Sequence, residues 1–197
     1  MDKLGVKILE RAGQMGFTES LAFDTRLLVP QKRIRGFCEE NKCGDYNNNY
    51  MCPPYVGSLD EIKGQLEEFH WGILLRYSRS MEIKKGNREI TESKVTFLNK
   101  ILQLEEFVRG EGIEHMWGIC GGSCGLCEPC HARLNVPCLY PDKARASLEA
   151  LGIEVLDLLD ELGLDNRFYP DKITWTGCIL FDYKSQGTCT SEAYTIR

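Results

Sequence analysis

The chain has 197 residues, 43% of them hydrophobic, and a net charge of −5. That is enough chain to bury a core without disulfide staples, so small size does not explain its 10 cysteines. The acidic balance argues against an extended phosphate-binding surface, the run Lys32, Arg33 and Arg35 being only a local basic patch, and no segment approaches the roughly 18 consecutive apolar residues of a membrane span.

The first segment, MDKLGVKILERAGQMGF, reads as an amphipathic helix with Leu4, Ile8 and Leu9 among charges. It lacks the apolar region and cleavage site of a signal peptide, which predicts a cytoplasmic protein with reduced thiols. Arg26 to Val29 predicts a short strand. Next comes FCEENKCGDYNNNYMCPPYVG, in which Cys38, Cys43 and Cys52 are separated by four and then eight residues and the Asn, Gly and Pro content predicts irregular structure. In SLDEIKGQLEEF, Ser58 and Glu61 form a capping box ahead of apolar Leu59, Ile62, Leu66 and Phe69 at helical spacing.

Trp71 to Tyr77 is a nearly continuous apolar run, as expected of a central buried strand. From Glu89 through Arg109 apolar residues recur at threes and fours, predicting the longest helix, ended near Gly110 and Gly112. Ile113 to Ile119 then predicts a strand that delivers Cys120. A strand, helix, strand order suggests a parallel pair with a site beyond the strands' carboxyl ends. Pro141 opens a predicted helix through Leu151, Ile153 to Leu162 predicts another, and Lys172 to Phe181 predicts a strand carrying Cys178. The polar tail from Asp182 contains Cys189 and is expected either to be weakly ordered or to cover the site. The sum is an α/β or α+β fold, a small central sheet flanked by helices in a single domain, with cysteine-rich metal-binding loops at 38–54 and 118–141.

Five of the cysteines fall in GICGGSCGLCEPCHARLNVPCLYP, among glycines that free the backbone to wrap something. Clustered cysteines in a reducing compartment point to metal ligands or reactive thiols. Cys124, Cys127 and Cys130 spell C-x2-C-x2-C, the spacing by which bacterial ferredoxins bring three thiolates to a 4Fe–4S cluster, and Cys138 is the candidate fourth ligand. Its gap is longer than in the ferredoxin run, and Pro137 precedes it where the ferredoxin proline follows. Zinc is the competing reading, though zinc ribbons separate two knuckles by a longer stretch. Cys120, Cys124 and Cys127 also spell the C-x3-C-x2-C of radical S-adenosylmethionine enzymes. That match is poor, since Leu126 stands where those enzymes have an aromatic residue and too little chain follows for their barrel.

Cys38, Cys43 and Cys52 form a candidate second centre. With three protein thiolates one position stays open for substrate, whereas Cys120, Cys178 or Cys189 as a fourth ligand makes a closed electron carrier. His70 and His115 read as ordinary surface or packed side chains, while His131, next to Cys130, is placed to tune a centre by hydrogen bonding. Trp71, Trp117 and Trp175 read as core.

Taken together, CGDYNNNYMCPPYVG, GSCGLCEPCHARLNVPCLYPDKARASLEALGIEV and the strand before the latter resemble the predicted metal-binding proteins of domain-of-unknown-function family 2284. The resemblance covers most of the chain, through Cys52-Pro53-Pro54, Cys124 to Cys130, Cys138 and Ser147 to Ile153. It implies metal binding and an occurrence largely in anaerobes, which suits oxygen-sensitive clusters, and names no reaction. The expectation is an iron–sulfur protein with one or two 4Fe–4S clusters, acting with a redox partner protein or a small-molecule substrate. It carries electrons, or acts as a redox or sulfur-transfer enzyme at an open iron. The alternative is a zinc-stabilised structural or interaction module.

Overall fold

The computed structural model describes residues 3–84 and 88–182, with the backbone of 195–196. The elements are α1 (Lys3–Gln14), β1 (Glu19–Asp24), α2 (Lys32–Glu39), α3 (Leu59–Leu66), β2 (Trp71–Ser80), α4 (Arg88–Gly110), β3 (Met116–Ile119), α5 (Val155–Glu161), β4 (Lys172–Phe181) and the two-residue β5 (Thr195–Ile196). The strands lie in the order β3-β4-β2-β1-β5, and every neighbouring pair is antiparallel.

The parallel pair expected of β2 and β3 is therefore not a pair. The two strands run in the same direction, but β4 lies between them, with Cys178 opposite Leu74 on one side and Ile119 on the other. The crossover through α4 leaves a gap one strand wide, and the later apolar run of β4 fills it. Both faces of this mixed α/β arrangement are covered. Ile73, Leu75 and Ile179 pack against Ile8 and Leu9 of α1 and Phe97, Ile101 and Leu104 of α4. Leu74, Cys178 and Leu180 face Ile62 and Leu66 of α3, Leu158 of α5 and the segment around Leu148 and Leu151. Alternating side chains of β2 thus enter two different cores, which is why its first half, Trp71 to Leu75, carries no polar side chain. Each fully buried large side chain contributes about 1.5–3 kcal/mol.

The capping box forms, with the Ser58 and Glu61 side chains each satisfying the other's backbone. Three segments differ from the sequence expectation. The early strand is Glu19–Asp24, while Thr25–Leu27 makes a 3-10 turn capped by Asp24, whose carboxylate accepts from the Arg26 N–H at 2.9 Å. The start of the segment expected to be irregular, Phe37 to Glu39, is the last turn of α2. Residues 141–151 do not form the expected helix. The Cys120 N–H donates to the Ala146 carbonyl (2.8 Å) and the Leu148 N–H to the Cys120 carbonyl (3.2 Å), so this pairing with the end of β3 outweighs local helix preference. Cys189 and most of the tail lie outside the described residues.

Candidate metal centre

The pairing of Cys120 with Ser147 brings the two ends of a long loop side by side, so Cys124, Cys127, Cys130 and Cys138 all lie on one closed excursion from the sheet. At its entry the backbone presses onto β4: a Cβ at Gly121 would stand 2.7 Å from the Thr176 carbonyl oxygen, and only glycine permits that approach. At its exit Arg145 grips Glu105 of α4 through Nε and Nη2 at 2.9 and 2.7 Å. A Cβ at Gly118 would occupy the space of that carboxylate. Within the loop, His131 Nδ1 donates to the Pro137 carbonyl at 2.8 Å, tying the turn after Cys130 to the residue before Cys138. All four are free thiols, and Cys127, Cys130 and Cys138 lie near enough to Cys124 for their charges to oppose its ionisation. Burial, the leading cause, raises the thiols of Cys124 and Cys127 above their ordinary range.

In the first cysteine loop, Cys38 sits in the last turn of α2. Asn41 and Asn47 then adopt the left-handed conformation, at φ of 52° and 56°. Asn41 Oδ1 accepts from the Tyr46 N–H, Asn48 donates to the Gly44 carbonyl, and the Asn49 carbonyl accepts from the Cys52 N–H. The asparagines therefore replace secondary structure as partners for the backbone. Cys43 is exposed, Cys38 half-buried and Cys52 buried. Burial pushes the Cys52 thiol up to about 12 and also raises that of Cys38, where Arg35 is the chief opposing influence. Both thiols feel Cys43.

The two loops dock on each other. Asn49 Nδ2 donates to the Cys124 carbonyl at 2.9 Å, Tyr50 Oη to the Val136 carbonyl at 2.8 Å, and Arg133 to the Gly44 carbonyl at 3.2 Å. Lys94 of α4 reaches the same junction, donating to Ser123 Oγ at 3.2 Å, and its charge bears on both Cys52 and Cys120. Tyr50, Met51 and Tyr55 of the first loop also form one wall of a cleft of about 320 Å³, with Glu105, Arg145 and Trp117 among its other lining residues and Arg109 and Glu114 beside them.

A family model matches residues 22–181, from within β1 to the end of β4, and so spans both loops. The chain belongs to the predicted metal-binding proteins of domain-of-unknown-function family 2284. No curated protein and no solved structure matches it. Metal binding is the property that the family 2284 description carries, and two loops rich in thiols supply donors suited to it.

Among the described residues of this family 2284 member, no three His, Cys, Asp or Glu side chains converge as a ready-made site for a single ion. Cys124, Cys127, Cys130 and Cys138 lie along one loop and Cys38, Cys43 and Cys52 along the other, without three of them meeting at one point. The structure places Cys120 at the root of the second loop, buried, its thiol pushed up to about 12 by desolvation. Cys178 is 0% exposed, in the core with Leu21, Ile119 and Leu180. Cys189 lies outside the described residues. His70 pairs with Asp182 at 2.9 Å, and His115 stacks on Phe69, so both serve the surface. Trp71, Trp117 and Trp175 pack at the margins of the two cores. Sequence reading named Arg35 only as part of a local basic patch and did not single out Asn49 or Lys94. Arg35 stands one helical turn before Cys38, a spacing that offers a signal once the helix is known, whereas nothing local marks Asn49.

Proposed function

We propose that this protein holds a 4Fe–4S cluster on Cys124, Cys127, Cys130 and Cys138 and a second centre on Cys38, Cys43 and Cys52, and that it carries electrons. The observation behind the reading is that the two cysteine loops are hydrogen-bonded directly to one another through Asn49 and Cys124. Two centres held on adjoining loops make an electron path, whereas unconnected structural zinc sites have no need of such contact. The evenly spaced C-x2-C-x2-C run favours iron, since it sends three thiolates from one loop to three metal atoms. Bound there, an iron–sulfur centre supplies one-electron transfer.

The chain's own residues do the rest. Thiols give up their protons on binding metal, and burial raises those of Cys52 and Cys124 above the ordinary value. Asn49, Tyr50 and Arg133 hold the loops in register, and the thiol chemistry requires a reducing compartment such as the cytoplasm. A second reading is that three thiolates would leave a coordination position free for a substrate; the cleft beside the Cys52 loop is lined by none of the cysteines. On that reading the protein is a redox or sulfur-transfer enzyme supplied with electrons through the Cys124 to Cys138 loop by a redox partner protein.

The test is anaerobic purification with metal and sulfide counting. Brown protein with iron and acid-labile sulfide in near-equal amounts and little zinc is expected. Colourless protein with stoichiometric zinc overturns the proposal in favour of a zinc-stabilised structural module.

A further inference from the structure

We infer that the cleft between the first cysteine loop and the end of α4 binds a planar organic monoanion, an aromatic or heteroaromatic carboxylate, with its carboxylate on Arg109 and its ring among Tyr50, Tyr55 and Trp117. The inference goes beyond the metal reading and does not rest on it, since among the described residues no cysteine and no histidine lines this cleft. Its volume of about 320 Å³ is that of a small-molecule site. Tyr50 and Tyr55 form an edge-on pair in the lining, their ring centroids 5.0 Å apart and their planes at 66°. Tyr50 is held by the bond from its hydroxyl to the Val136 carbonyl, whereas Tyr55 is 42% exposed. Trp117, half-buried, belongs to the same lining. Three aromatic side chains around so small a space suit a planar guest that stacks on their faces or meets their edges.

The charged groups of the lining decide what the guest carries. Arg145 is fully committed: Nε and Nη2 donate to the Glu105 carboxylate, and Nη1 donates to the Asp142 and Ala144 carbonyls at 3.0 and 2.9 Å. That pair is neutral and has no donor to spare. Arg109 stands one helical turn beyond Glu105 on α4, is exposed, and has no side-chain hydrogen-bond or ion-pair partner among the described residues. Its fork is therefore the cation of the lining that is left for a ligand, and a carboxylate matches it in shape and charge. A phosphate dianion fits less well. The C-terminal end of α4 presents carbonyls, which repel anions, and Glu114 lines the same cleft, so a single guanidinium has to outweigh both.

The experiment titrates the full-length protein, isolated anaerobically, with naphthoate, its neutral amide naphthamide and inorganic phosphate, read by calorimetry and ligand-observed NMR. Naphthoate is expected to bind, naphthamide about tenfold more weakly, and phosphate neither to bind nor to compete. Arg109→Gln should weaken naphthoate about tenfold, as loss of a charge-assisted pair requires, and leave naphthamide unchanged. Arg109→Lys should recover part of the loss, because it keeps the charge and loses the fork. Tyr55→Ala should weaken both probes alike, since it removes ring surface and no charge. Failure of naphthoate to bind at millimolar concentration, equal affinity for naphthoate and naphthamide, or unchanged naphthoate affinity in Arg109→Gln overturns the assignment. Phosphate that binds more tightly than naphthoate, or unchanged affinities in Tyr55→Ala, does so as well. If Arg109→Gln does not fold, naphthoate affinity unchanged in Arg109→Lys is the overturning result. Metal content does not enter any of these readouts, so the electron-carrier reading stands or falls separately.

Discussion

The Asn49 side chain, 2% exposed, donates across the boundary between the two cysteine loops to the backbone carbonyl of Cys124. Its Oδ1 accepts from the Met51 N–H at 3.1 Å and its own carbonyl from the Cys52 N–H at 2.9 Å. One residue thus fixes the turn that carries Cys52 and the position of Cys124. Replacing it by alanine removes the donor to the carbonyl of half-buried Cys124, at a cost of about 1 kcal/mol. Hydrogen exchange of Asn49→Ala should show both loops less protected; faster exchange confined to the Cys52 turn would mean that the contact does not couple them.

Gly118→Ala should act on Glu105 and not on the strand. The added Cβ takes the place of the carboxylate, which is 3% exposed as a residue and gripped by Arg145, and separating a buried pair costs about 3–5 kcal/mol. The loss should be strongly non-additive with Glu105→Ala, since the alanine vacates the space that the new methyl needs. Denaturant unfolding of the two single variants and the double variant measures this, and simple addition of the two effects would be the contrary result.

Cys178 predicts an alkaline limit to stability. Burial raises its folded thiol above the ordinary 9.0. In the unfolded chain the thiol loses its proton near that value while the folded chain keeps it, so the stabilisation is complete below about pH 9 and declines as pH rises from there toward the folded value. In metal-free protein, Cys178→Ala should flatten the decline of melting temperature above pH 9. Rapid alkylation of Cys178 in folded protein would contradict its placement.

Metal removal should loosen both loops together. A ligand that binds only the folded chain adds its binding free energy to folding, and here each loop is also the other's support through Asn49, Tyr50 and Arg133. Limited proteolysis of Cys127→Ser should therefore quicken within residues 41–57 as well as in the mutated loop. Cleavage restricted to the mutated loop would show that the supports act independently.

Much of the frame is legible in the residues. Ser58 and Glu61 announce α3, the threes and fours from Val95 to Val108 announce α4, and the run from Lys172 to Phe181 announces β4. In each case the local pattern and the tertiary role agree. Where they part, the sequence misleads. Lys32–Glu39 buries only Ile34 and Arg35, so α2 shows no apolar stripe, and Ala144 to Leu151 is rich in helix formers yet is pinned at Ala146 and Leu148 by the backbone of Cys120 and makes only turns beyond Ser147. The spacing of Cys124, Cys127 and Cys130 identified a candidate site, but the docking of the two loops depends on hydrogen bonds to backbone carbonyls, and a carbonyl has no sequence signature.

The insertion of β4 between β2 and β3 also sets an order of assembly during synthesis. The second cysteine loop is shaped against Thr176 and Trp175, residues made some forty positions after Cys138, so its template does not exist while the loop itself is leaving the ribosome. Until β4 enters the gap, β2 and β3 have unpaired facing edges and the thiols hang on unsupported chain. Whatever delivers metal to these loops must therefore wait until β4 has been made, and a chain truncated before Lys172 should be isolated empty even with every cysteine of both loops present.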